Sequence, residues 1–146
     1  MSRDDTEGVG FPFDDGGCFG CSASNPDGLQ LRFHPGDKEV RGTYSVPDRF
    51  HGAPGIAHGG IIATILDEYS CAAAVFLGGK RVVTGELSVR YEGPCPVEKP
   101  LEIRAWIADE SHPKYWVVDA EIRSGSERVV RSSGKFFPQD VAQPVP

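Results

Sequence analysis

The chain has 146 residues, with 15 basic and 21 acidic side chains, a formal charge of −6 and a hydrophobic fraction of 39%. That length supports one buried core rather than two, and the apolar share excludes a disordered chain. The acidic balance, with no basic run anywhere, argues against nucleic acid or an anionic membrane surface as a partner.

Residues 1–17, rich in Gly, Asp and Pro, read as a flexible lead-in. They lack the apolar stretch of a signal peptide, so a soluble cytoplasmic protein is expected. Cys18-Phe-Gly-Cys21 is half of a zinc-binding pattern. No second cysteine pair or close histidine pair follows it, so no metal site and no cofactor are expected. A first strand is predicted where Leu29, Leu31 and Phe33 alternate with polar residues, and a second at Val40, Gly42, Tyr44 and Val46. The one helical segment runs from about His58 to Leu77, with Gly59-Gly60 at its start and Gly78-Gly79 at its stop. Its two apolar runs, Ile61 to Leu66 and Cys71 to Leu77, are separated by Asp67 to Ser70. Neither approaches the ~20 residues of a membrane span. Four more strands follow. One has Val83, Leu87, Val89 and Tyr91 on a shared face, one runs from Leu101 to Ile107, one from Trp116 to Arg123, and one from about Arg128 to Phe137. Ser111-His112-Pro113-Lys114 and Ser124-Gly125-Ser126 are short enough for hairpins.

Two strands, one long helix and four strands make an α+β domain in which an antiparallel sheet wraps the helix. The domain spans residues 18–138, and residues 139–146 form a flexible tail.

The chemistry concentrates around the helix. Gly59 and Gly60 open it, where unpaired backbone N–H groups and the positive dipole end favour negative charge. Asp67 sits in the middle of an apolar helix, where a carboxylate is costly without a partner or a task. Seven residues separate Gly60 from Asp67, so both lie on one helical face, about 10 Å apart along the axis. A substrate along that face would place a carbonyl oxygen on the Gly60 N–H and its carbon near the carboxylate, either directly or through one water. Thioesters suit the arrangement, because thiolate leaves without a strong acid. Other readings stand beside this one: Asp67 as a solvated or salt-bridged residue, and His58 as a plain helix-start residue. Glu68, rotated about 100° from Asp67, is the rival acid.

His58-Gly59-Gly60 followed by Asp67 resembles the motif of the PaaI-type hotdog thioesterases. Cys18-Phe-Gly-Cys21 with Asn25-Pro26 and Gly28-Leu29, and Val82-Val83-Thr84 with Tyr91 and Pro94, are similar to other segments of that family. The resemblance covers roughly residues 18–137. It implies a hotdog fold and hydrolysis of an acyl-coenzyme A thioester in a homodimer or homotetramer, with active sites at the subunit interface. By the same resemblance Asp67 is the base or nucleophile, the Gly60 N–H polarises the carbonyl, and His58 shapes the turn or orients the substrate. Thr84 corresponds to a hydroxyl that holds the attacking water. Gly59, Glu68 and Asn25 are expected at the substrate. Simple alternation sets Thr84 on the polar face, so it reaches the site only if Gly85 bends the strand or the face meets another subunit. Arg90, Arg131 and Lys135 are candidates for coenzyme A phosphates or ordinary surface charges. Two other functions compete. One is a hotdog hydratase or dehydratase pairing His51 with Asp67 or Glu68, and the other is a protein that binds an acyl or aromatic ligand without turnover.

Overall fold

The computed structural model describes residues 8–140, so the acidic start and most of the C-terminal tail lie outside the described residues. The elements are β1 (His34–Pro35), β2 (Val40–Ser45), α1 (Gly59–Gly78), β3 (Val82–Tyr91), β4 (Pro100–Asp109), β5 (Trp116–Ser124) and β6 (Glu127–Pro138). They form one six-stranded sheet in the order β1-β2-β4-β5-β6-β3, and every neighbouring pair is antiparallel. Among the described residues the one α-helix lies on one face of the sheet and touches all six strands. This is the hotdog arrangement.

The strand alternation supplies the core. Leu101, Ile103 and Ala105 of β4 and Val118, Ala120 and Ile122 of β5 turn inward and are buried. They meet Ile62, Ile65, Leu66, Tyr69, Ala72 and Ala73 of α1. Each large aliphatic side chain buried in this way contributes about 1.5–3 kcal/mol. By length and composition α1 would also pass as a membrane span, but here its apolar residues are taken up by the sheet. The helix stops at Gly79, which adopts a left-handed φ of 75° and donates its N–H back to the last turn.

Two sequence expectations change. The segment holding Leu29, Leu31 and Phe33 buries those three side chains, yet only His34–Pro35 joins the sheet. Gln30 takes a positive φ of 58°, which breaks the extended run, and the segment bonds instead to irregular chain: Leu29 N–H to Phe19 O, Leu31 N–H to Gly20 O, and Phe33 to Val9 in both directions. The described part of the lead-in is therefore not loose. Phe11 is buried and stacks on Phe13 and Phe76, with ring centroids 5.0 and 5.9 Å apart.

Candidate active site

Asp67 stands half-buried on the flank of α1 and accepts a hydrogen bond of 2.7 Å from Thr84 Oγ1. Burial pushes its carboxyl above the usual aspartate range, and the Thr84 hydroxyl pulls it partly back. Thr84 reaches the helix because β3 slips its register between Thr84 and Glu86. Before the slip Val82 and Thr84 turn inward. After it Leu87 and Val89 do, while Val83 is left 55% exposed. Gly85 carries the bulge and has no room for a side chain, since a Cβ there would lie 2.3 Å from the Phe137 ring. The expectation that Val83 shares a face with Leu87 and Val89 is thus corrected, and the condition under which Thr84 meets Asp67 is fulfilled. Cys71 completes this corner, its sulfur 3.7 Å from Thr84 Oγ1. Burial, aided by the Asp67 charge, pushes that thiol up to about 12, which disfavours the thiolate form.

At the helix start His58 is the N-cap, and its Nδ1 accepts the Gly60 N–H at 2.9 Å. The amide assigned to polarise a carbonyl is therefore held by the histidine ring, which gives His58 a concrete role. Gly59 and Gly60 are both exposed. The Tyr91 hydroxyl donates to Gly59 O at 2.6 Å, and its ring lies against Gly59. Tyr91 ends β3 and joins the candidate site, which period-two reading does not single out, because its place depends on β3 running alongside the helix. One correction follows from helix geometry. An axial separation of about 10 Å keeps Gly60 and Asp67 of one chain from touching a single thioester carbonyl together without a bridging water.

The remaining candidates scatter. Glu68 turns toward the cysteine turn, with Oε1 3.9 Å from Cys18 Sγ. Burial, then the neighbouring Asp67 charge, raise its carboxyl above the ordinary range. Asn25 forms its own loop, donating to Gly17 O at 3.1 Å and accepting the Asp27 N–H at 3.0 Å. His51 Nδ1 sits 2.6 Å from Asp48 O, in a turn of its own. Arg131 pairs with Glu92 and Lys135 with Glu86, which favours ordinary surface charges. A cleft of about 300 Å³ opens beside the Asp67 corner, lined by Phe11, Phe13, Glu68, Cys71, Val75 and Val82.

Comparison with known proteins agrees with this fold. The family model described as thioesterase superfamily matches residues 54–131, just over half of the chain. The chain is 30% identical over 107 residues to acyl-coenzyme A thioesterase THEM5 of Mus musculus, covering 72% of this chain and 42% of that protein. It is 48% identical over 46 residues to acyl-coenzyme A thioesterase THEM4 of Xenopus laevis, covering 32% and 20%. The chain thus spans less than half the length of these curated relatives. Among solved structures, a thioesterase superfamily protein superposes with a TM-score of 0.72 at 28% identity, covering 81% of this chain and 58% of that one. With motif, fold and family model in agreement, the chain belongs to the thioesterase superfamily.

Proposed function

We propose that this protein hydrolyses an acyl-coenzyme A thioester, with Asp67 as the catalytic carboxylate. The observation that carries the reading is the Thr84–Asp67 hydrogen bond, which fixes Oδ1 of a half-buried acid and leaves Oδ2 to act. Two routes fit. Oδ2 attacks the carbonyl carbon and expels the thiolate, leaving an acyl anhydride that water opens. Alternatively it takes a proton from water, whose oxygen attacks while the thiolate leaves. The relatives named as acyl-coenzyme A thioesterases support this substrate class.

The oxyanion donor comes from a second copy of the chain. β3 is an outer strand, with Thr84 beside Asp67 at one end and Tyr91 on Gly59 at the other. Two copies paired antiparallel along β3, centred near Leu87 and Ser88, bring the Thr84 end of one to the Tyr91 end of the other. The helix start of each chain then faces the Asp67 of its partner, and the axial gap within one chain ceases to matter. The active form is a homodimer, alone or within a tetramer, with Gly59, Gly60 and His58 meeting the carbonyl. For the amide to bind the oxyanion, His58 Nδ1 yields or shares the Gly60 N–H.

A panel of acyl-coenzyme A substrates tests the reaction class, with release of free thiol and loss of enoyl absorbance followed in parallel. Thiol release without hydration is expected. Hydration without thiol release, or binding with neither, would replace this reading by one of its competitors.

A further inference from the structure

The cysteine pair that looked like half a metal site has a third donor side chain beside it that no local pattern announces. Cys18 and Cys21 lie in a tight turn, where Ser22 N–H bonds to Cys18 O and Cys21 N–H points at Cys18 Sγ from 3.4 Å. Glu68 comes down from α1 onto this turn, and the two sulfurs and a Glu68 oxygen lie within 4.8 Å of one another. The turn is moulded to the acid. Gly20 is buried, and a Cβ there would stand 2.4 Å from Glu68 Cγ.

We propose that Cys18, Cys21 and Glu68 bind a zinc ion that pins the cysteine turn to the central helix. Tetrahedral zinc, with bonds of about 2.3 Å to sulfur and about 2.0 Å to oxygen, sets two sulfurs about 3.8 Å apart. It sets sulfur and oxygen about 3.5 Å apart. The observed 3.9 Å between Cys18 Sγ and Glu68 Oε1 needs a shift of only a few tenths of an ångström. The donor set is two soft thiolates and one carboxylate, which selects zinc over calcium or magnesium. The charge argument points the same way. Among the described residues, the hydrogen-bond partners of the Glu68 carboxylate are the two thiols, which are weak donors for a half-buried acid. A divalent cation supplies the missing positive charge and displaces the two thiol protons to solvent. The fourth position opens toward the cleft that Asp14 and Asp15 also line, where water completes the tetrahedron.

The ion ties two distant parts of the fold together. It closes a loop of about 50 residues from the irregular N-terminal region to α1, and it holds Glu68 away from Asp67. The proposal is independent of the thioesterase reading, because it concerns metal binding by groups that the reaction does not use.

The test is titration of the reduced, chelator-treated full chain with zinc against a chromophoric chelator, alongside a cobalt titration read by absorbance. One zinc per chain and a thiolate-to-cobalt charge-transfer band are expected. Cys18→Ser and Cys21→Ser should each weaken zinc binding by more than about 100-fold, beyond what loss of an outer-shell partner does. Glu68→Gln should weaken it by at least about tenfold, while Cys95→Ser should bind like the parent. Far-UV circular dichroism checks that each variant is folded, and the parent's cobalt spectrum decides even if a variant is not. A reduced chain that gives no thiolate band, or that takes up no zinc, overturns the proposal. So does unchanged affinity in Cys18→Ser or Glu68→Gln.

Discussion

A carboxylate set into the side of an apolar helix raises the free energy of the fold unless something compensates, and at Asp67 the compensation is one hydroxyl. Thr84→Val keeps the shape and removes that donor. A hydrogen bond to a charged group is worth about 1.5–3 kcal/mol, so the turnover rate should fall about tenfold or more. Thr84→Ser should retain most of the activity. Equal rates for the valine variant and the parent would show that the contact is incidental. At this scale the sequence exposes Asp67, because an acid amid Ile65, Leu66, Ala72 and Ala73 breaks the pattern. It does not expose Tyr91, or the capture of the Gly60 N–H by His58, because both depend on where side chains turn after the fold has formed. Glu68 was visible as a second acid, but its cysteine partners lie some 50 positions earlier in the chain and carry no local signal pointing forward.

Among the elements, the helix was legible to within a residue, since paired glycines mark both its ends. β2, β4, β5 and β6 follow their alternation closely. The segment 29–33 misled because its alternation is real, but its partner is irregular chain instead of a strand. β3 misled in phase, because one extra residue at Gly85 reverses which side chains turn inward. Two contacts between elements yield stability predictions. The fully buried Tyr69 passes over Gly42 of β2 and donates to Arg32 O at 2.6 Å, and a Cβ on Gly42 would fall 1.8 Å from its hydroxyl. Gly42→Ala should therefore destabilise by about 1–3 kcal/mol, visible as a lowered Tm. On the outer face of the sheet, Glu121 of β5 accepts from Arg104 at 2.8 Å and from Arg123 at 3.0 Å. Burial alone would raise the Glu121 carboxyl, but the two guanidinium groups outweigh it and hold the pKa below 4.5. A carboxylate whose pKa is lowered by folding contributes stability above its ordinary value of 4.5 and loses it as pH falls through the lowered one. Thermal melts across that range should show Glu121→Gln less acid-sensitive than the parent, and less stable at neutral pH by on the order of 1 kcal/mol. Parallel curves for the two proteins would show that the two arginine contacts on Glu121 contribute nothing to this pH dependence.

For the whole molecule, the sheet has a ten-residue outer strand, β3, with Val83 and Tyr91 about half exposed. Such an edge is a ready template for pairing, and the proposed site needs a second helix start. Val83→Glu places a charge on that edge. It should weaken self-association by about tenfold or more, seen as a shift toward monomer mass in size-exclusion light scattering, and activity should fall with the dimer fraction. A fully active monomer would refute the shared site while leaving Asp67 untouched. Beneath these claims lies the role of one carboxylate, and the most direct measurement is thiol release from acyl-coenzyme A by the parent and by Asp67→Asn. With the fold confirmed intact, the near-isosteric change should cost about 10²–10⁴ in kcat. A variant that turns over at the parental rate would contradict the assignment of Asp67.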